Sequence, residues 1–377
     1  MVFFLPLLSC NSPVSKITEV DLENLNGEEI TLSEIADDIT YVPLDNDYPM
    51  SIYFQRIEIF DDAIYLTEKD IGMFALDMSG KMVKRYGSKG RGPGEYMYGN
   101  KFTIDRKGQI LYLLDMKSIL KYSLDGTYLG KISLDKYPGN FKELRFKDSQ
   151  LILFEYIALG EAVYDWIVID SSGNLVSEKL NYIPSFKSTF GPGGGVYEFD
   201  ESIGYWNGYN DTVFSIAGDL GYSTSFLLAP SELRWPRNDI EPALVSKYIG
   251  LHLILETERF IILKYFFKEQ TLGFIDKHIK RSYKVSWQPV NHLDNNGGLP
   301  NDLDGGVPFE PKHYFEENGV EYLVGFTQPV DILTRISSGD FSNSAAKYPE
   351  KKEALIKLAE EIKETDNSIL TIVRLKN

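Results

Sequence analysis

From about Asp38 onward, apolar and polar positions alternate over short runs that are broken at regular intervals by Gly, Asn and Asp. "ITYVPL" (39–44) and "RIEIFDDAIYLTE" (56–68) come first, then "MFALDMSGKMVKRYG" (73–87), "KFTIDRKGQILYLLD" (101–115) and "ILKYSLDGTYLGKISL" (119–134). A period of two with turn residues between the runs predicts short strands joined by hairpins. The runs also repeat. "IYLTEKDIGMFALDMSGKMVKRYG" aligns strand for strand with "LYLLDMKSILKYSLDGTYLGKISL", which places Asp77 and Asp125 at one position, 48 residues apart. Asp170 in "DWIVIDSSGNLVSEKL" follows 45 residues later. Weaker copies run over 210–226 and 270–286, and "EYLVGFTQPVDILTRIS" (321–337) supplies part of a sixth.

A repeat of roughly 40 to 50 residues with about four strands per unit is the signature of a β-propeller. The expected fold is therefore all-β, a six-bladed β-propeller over 37–377, preceded by a segment at 1–10 and a lead-in at 11–36. In "MSGK", Asp77 is expected to cap the hairpin and Gly80 to take positive φ. Near the C-terminus, "YPEKKEALIKLAEEIKE" (348–364) sets Leu355, Leu358, Ala359 and Ile362 on one stripe behind Pro349, which predicts one amphipathic helix. The strand that follows, "SILTIVRLK" (368–376), is expected to pair with "ITYVPL", closing the ring and removing a free sheet edge.

Composition narrows the partners. Hydrophobic residues make up 43% of the 377 positions, enough for a large core, and aromatics reach 13%, which suits strands. The formal charge of −16 repels phosphate backbones, so nucleic acid is not an expected partner. The chain has one cysteine, Cys10, which excludes an internal disulfide or a cysteine-based zinc site. It ends the apolar run "MVFFLPLLSC", too short to span a bilayer and of the length of a signal-peptide core. Leu7-Leu8-Ser9-Cys10 resembles a bacterial lipobox, so Cys10 is the expected lipidation site and the membrane a partner through that anchor. No Lys or Arg precedes the run: either the positive leader is missing or the start lies upstream.

The candidate chemistry is sparse. "GSKGRGPGEY" (87–96) has the spacing of neither a dinucleotide fingerprint nor a P-loop and runs on into strand. Its glycines fit a sharp connection between blades, with Lys89, Arg91 and Glu95 as candidate ligand contacts at the central opening. "NDLDGG" sets Asp302 and Asp304 at the i, i+2 spacing of calcium loops without a full EF-hand, so Ca²⁺ is the candidate cofactor, with Glu310 as a distant contributor; the alternative is an Asx-turn. The histidines, His252, His278, His292 and His313, form no helix-borne metal motif. "FGPGGGVYEF" (190–199) is expected to be a flexible linker. Tyr205, Trp206, Tyr209 and Trp235 sit beside Asn and Asp at loop-like positions, either stacking on sugars or packing between blades.

"YGSKGRGPGEY", "NDLDGGVPFEP" (301–311) and "ETDNSILTIVRLK" (364–376) together resemble the six-bladed β-propeller lipoproteins of Bacteroidetes, a family catalogued as a domain of unknown function and similar in shape to NHL-repeat propellers. The resemblance runs from about Leu22 to Asn377. It implies an envelope-anchored propeller with no established chemistry and supplies no catalytic residues to carry over; a monomer at the outer membrane is expected. "NSPVSK" after Cys10 lacks the acidic residues common in surface-displayed members, so periplasmic and surface orientations both stay open. Two functions are expected from this reading: a non-catalytic binding or scaffold module for glycans or an envelope protein, or a divalent-cation-dependent hydrolase or lyase working in the central channel. Convergent carboxylates, His and Asn at one channel mouth would mark the second.

Overall fold

The computed structural model describes residues 18–25, 27–50, 54–157, 159–287 and 297–376; Cys10 and His292 lie outside the described residues. Six sheets carry four strands from one repeat each. In chain order they are blade 1 (54–86), blade 2 (101–133), blade 3 (143–180), blade 4 (194–228), blade 5 (250–287) and blade 6, which joins 313–327 and 369–375 to 36–43. Each strand pairs antiparallel with the next within its blade.

Apolar side chains on both faces of every sheet bury against the neighbouring blades. Six core clusters fill the six gaps: Tyr65 and Tyr86 meet Phe102 and Tyr122 between blades 1 and 2, and Val42 and Leu370 meet Ile57 and Leu66 between blades 6 and 1. Each sheet is thus covered on both sides, which a six-fold ring achieves without a second layer.

Closure follows the expected pairing. Strand Ala36–Pro43 lies antiparallel to Ile369–Leu375 as the outermost strand of blade 6, with Tyr41 opposite Thr371 and Ile39 opposite Val373. Upstream, the lead-in wraps the rim. Thr18–Val20 adds a fifth, parallel strand to blade 4, Leu22 and Leu25 enter the core between blades 4 and 5, and Glu28 bridges to Tyr283 of blade 5.

The hairpin turns correct one sequence alignment. The N–H groups of Asp77, Ser123 and Asp170 donate to the carbonyl four residues on, and their carbonyls accept from Gly80, Gly126 and Gly173. Those glycines take φ of +84°, +95° and +88°, where a Cβ would strain the backbone. Ser123, not Asp125, therefore occupies the place of Asp77. Asp125 lies two residues on and still accepts from Thr127 N at 2.9 Å, the amide equivalent to the one Asp77 reaches at Lys81. Either position brings a carboxylate to the same amide, which is why the sequence aligns them.

The predicted helix spans Pro349–Glu361, and its stripe of Leu355, Leu358, Ala359 and Ile362 packs on Val307, Ile332, Phe341 and Ile369. It is not the only helix. "QPVDILTRIS", read as blade, leaves the strand Val320–Thr327 and forms the helix Pro329–Ser337, with a short helix Gly339–Asn343 after it. Pro329 at the first helical position removes a donor that a strand would need and a helix start does not. Among the described residues, no helix is long and apolar enough to cross a membrane.

Candidate functional site

The first strand of each blade lines the central channel: Phe54–Phe60, Lys101–Asp105, Glu143–Lys147, Gly194–Phe199, Gly250–Glu256 and His313–Glu317. Side chains alternate across a strand, so when Ile57 and Ile59 enter the core, Arg56 and Glu58 face the channel. The same alternation presents Lys101 and Thr103, Glu143 and Arg145, and Glu198. They border a cavity of about 1400 Å³, larger than the roughly 300–1,000 Å³ of drug-sized ligand sites.

An ion-pair network crosses this channel. Arg56 of blade 1 donates to Glu58 and to Glu198 of blade 4, both at 2.9 Å. Arg145 of blade 3 reaches Glu143 at 2.9 Å and Glu198 at 2.6 Å, and Lys101 of blade 2 pairs with Glu143 at 2.5 Å. Blades 1 and 4 stand opposite each other in a six-bladed ring, so the Arg56–Glu198 pair ties the wall across its diameter. On the wall from blades 5 and 6, Glu310 binds Lys312 at 2.6 Å and also Lys264, and Tyr314 donates to Glu321 at 2.8 Å.

The network sets the charge states. Burial by itself would raise the Glu143 carboxyl, but Lys101, Arg145 and Arg56 outweigh it and hold it at about 2. Glu198 is likewise held low: burial opposes, and Arg56 and Arg145 prevail. His313 is pushed down to about 3 by burial, then by the nearby cations Arg56, Lys101, Lys312 and Arg145, so its imidazole is neutral at pH 7. Burial, with Lys264 and Lys312, lowers His252 too. Two buried donors face this wall with no hydrogen-bond partner among the described residues, Arg56 Nε and the Tyr156 hydroxyl.

Most of the sequence-derived candidates lie elsewhere. Lys89 donates to the Lys69 carbonyl at 2.7 Å, Glu95 accepts from Gly92 N within its own loop at 2.7 Å, and Arg91 is exposed; none of the three borders the cavity. That loop is a tight structural connection, with Ser88–Lys89 paired to Glu95–Tyr96 and a Cβ at Gly90 falling 2.0 Å from the Glu95 carboxylate. Tyr205 and Trp206 are core residues of blade 4, and the Tyr205 ring stacks on Phe154 at 5.7 Å. Tyr209 is buried with Ile157 and Ile183, and Trp235 packs against that cluster and against Tyr248. These rings fill gaps between blades.

Asp302 and Asp304 do not converge on a shared site. Asp302 accepts from Ser33 N at 2.8 Å and from the Ser33 and Thr31 hydroxyls at 2.7 and 2.9 Å. Asp304 accepts from the Tyr41 hydroxyl at 2.9 Å and Gly306 N at 2.8 Å. The "NDLDGG" loop thereby fastens the lead-in and the closing strand to blade 6. Glu310 serves Lys264 and Lys312 instead. Among the described residues, no group of three or more His, Cys, Asp and Glu side chains could hold a metal ion.

The residues that sequence reasoning missed are the channel charges. Their signal was present: Arg56 and Glu58 alternate with Ile57 and Ile59, and Glu143 and Arg145 with Leu144 and Phe146. "FGPGGGVYEF", read as a linker, contains the inner strand of blade 4 and so supplies Glu198.

Six four-stranded sheets around a lined channel, closed by pairing of the two ends of the folded chain, define a six-bladed β-propeller. The family model for the domain of unknown function DUF4934 matches residues 16–374, and the chain belongs to that family. Its fold is similar to the crystal structure of a Bacteroides fragilis protein described as a candidate for export, with 18% identity over 96% of this chain and 100% of that one and a TM-score of 0.67. A member of the DUF4221 family from Bacteroides vulgatus is 12% identical over 90% of this chain and 97% of that one, with a TM-score of 0.52. The resemblance to Bacteroidetes propellers of unknown function is thus borne out. No curated protein sequence matches the chain.

Proposed function

We propose that this protein is an exported, lipid-anchored propeller that acts as a non-catalytic binding module, with a glycan held in the central cavity. One observation carries the reading: the cavity is roomy and mixed in character, yet the glutamates of its inner network are already committed. Glu58, Glu143 and Glu198 each lie against a guanidinium or ammonium group. A general acid or a metal site would need such carboxylates available. Aromatic side chains such as Tyr98, Tyr156 and Phe199, with polar donors beside them, suit sugar rings instead.

Export is supported by the described B. fragilis relative and by the apolar run before Cys10. In the bacterial cell, labelled palmitate is expected on the wild-type chain and absent from Cys10→Ala; equal labelling would contradict the anchor. For the ligand, the purified protein is expected to bind a restricted set of oligosaccharides on a glycan array. Binding to none of them, alongside turnover of a chromogenic ester or glycoside, would favour a hydrolase instead.

A further inference from the structure

One side of the cavity wall inverts the sign of the molecule. The whole chain carries −16, yet eight Lys and Arg residues border the cavity against six Asp and Glu among the described residues. The inner network balances itself, since Arg56, Lys101 and Arg145 face Glu58, Glu143 and Glu198. Around it, the bordering cations that make no ion pair among the described residues gather beside blades 2 and 3, at Arg106, Lys117 and Lys142, whereas Lys312 is paired with Glu310. Burial, with cations of the inner network and Lys312 among those nearby, keeps both channel histidines low. The Tyr156 hydroxyl and Arg56 Nε border the cavity with no hydrogen-bond partner among the described residues, which leaves two buried donors for a ligand.

Resting on the glycan reading above, we infer that the ligand of the central cavity is an acidic sugar, a uronic-acid-bearing oligosaccharide whose carboxylate is taken by the cationic wall. The wall favours carboxylates over phosphate. Single charges spaced along a sugar chain suit cations spread over Arg106, Lys117 and Lys142, whereas the network's own glutamates would repel a doubly charged phosphate. Guanidinium and ammonium groups here already hold carboxylates at 2.5–2.9 Å, the geometry of charge-assisted pairs. The cavity volume of about 1400 Å³ also accommodates more than one sugar ring.

The test is titration calorimetry of the purified protein with trigalacturonate, a neutral trisaccharide and a sulfated trisaccharide, at about 0.02 M and about 0.3 M NaCl. Trigalacturonate is expected to bind at least about tenfold tighter than the neutral sugar at low salt, with the margin shrinking at high salt. The double variant Arg106→Glu, Lys142→Glu alters two exposed side chains, so its fold should be intact by circular dichroism, and it should weaken trigalacturonate about tenfold or more. In parallel, Lys101→Gln thins the inner network while leaving Arg145 on Glu143, and it should weaken the same ligand. Equal binding of neutral and acidic trimers would overturn the acidic-sugar inference while the glycan reading stands. Equal binding of the sulfated trimer would overturn the carboxylate. If no sugar binds here or on the array, the glycan reading falls and this inference with it.

Discussion

His313 and Arg145 carry the chemistry of the channel at the residue scale. His313 titrates near 3 in the folded protein against about 6.5 in an unfolded chain, so acid favours unfolding. Its contribution is fully present above pH 6.5 and is lost as the pH falls towards 3; His252, also lowered, adds to the same window. Glu143, held at about 2, adds a second loss that begins only below about 4.5. Urea unfolding at a series of pH values should therefore show wild-type stability declining below pH 6.5, and His313→Gln should flatten that decline between 6.5 and 4.5. An unchanged slope would refute the neutral imidazole. Arg145 is 3% exposed and holds two carboxylates, but Glu143 keeps Lys101 and half-exposed Glu198 keeps Arg56, so Arg145→Met should cost about 1–3 kcal/mol in urea unfolding. A loss below about 1 kcal/mol would mean the Arg145 pairs between blades 3 and 4 contribute little. These residues were hard to find in the sequence because an ion pair between blades joins positions far apart, Arg56 to Glu198 for instance. Aromatic clusters beside glycines drew attention instead, and they turned out to be packing.

At the scale of elements, strand alternation was easily read and strand position within a blade was not. The hairpins at Gly80, Gly126 and Gly173 have local causes, a positive φ and a capping carboxylate or hydroxyl, so the sequence marks them directly. Which strand of each blade lines the channel depends on the ring, and no local signal encodes it. The helix Pro349–Glu361 was legible from its stripe, while Pro329–Ser337 was masked by a short apolar run that reads equally as strand. Leu355 is 1% exposed at the centre of the helix contact, so Leu355→Ala should cost about 2–5 kcal/mol in thermal or urea unfolding. The Tyr41 hydroxyl links the closing strand to Asp304 and accepts from Asn301 at 3.3 Å. Tyr41→Phe should cost about 1–3 kcal/mol, since both partners are buried.

At the scale of the molecule, the ring is held by six interblade cores and one seam. Among the described residues, deleting through Val20 removes only the fifth strand of blade 4, and a cooperative unfolding transition should survive. Deleting through Pro43 takes the outermost strand of blade 6 and exposes the edge of Ile369–Leu375, so cooperative unfolding should be lost. The repeat period made this architecture legible from sequence, because every blade rewrites the same hydrophobic pattern. The ligand is not repeated and leaves no such pattern; it is expressed only where unlike inner strands meet. The central claim is that function resides in this channel, and the most direct measurement is a crystal structure of the protein soaked with the tightest binder from the glycan array. The account predicts ordered sugar in the cavity against Arg56, Tyr156 and His313. Sugar seated instead at the 87–96 loop or beside Trp235, with the channel unchanged, would contradict it.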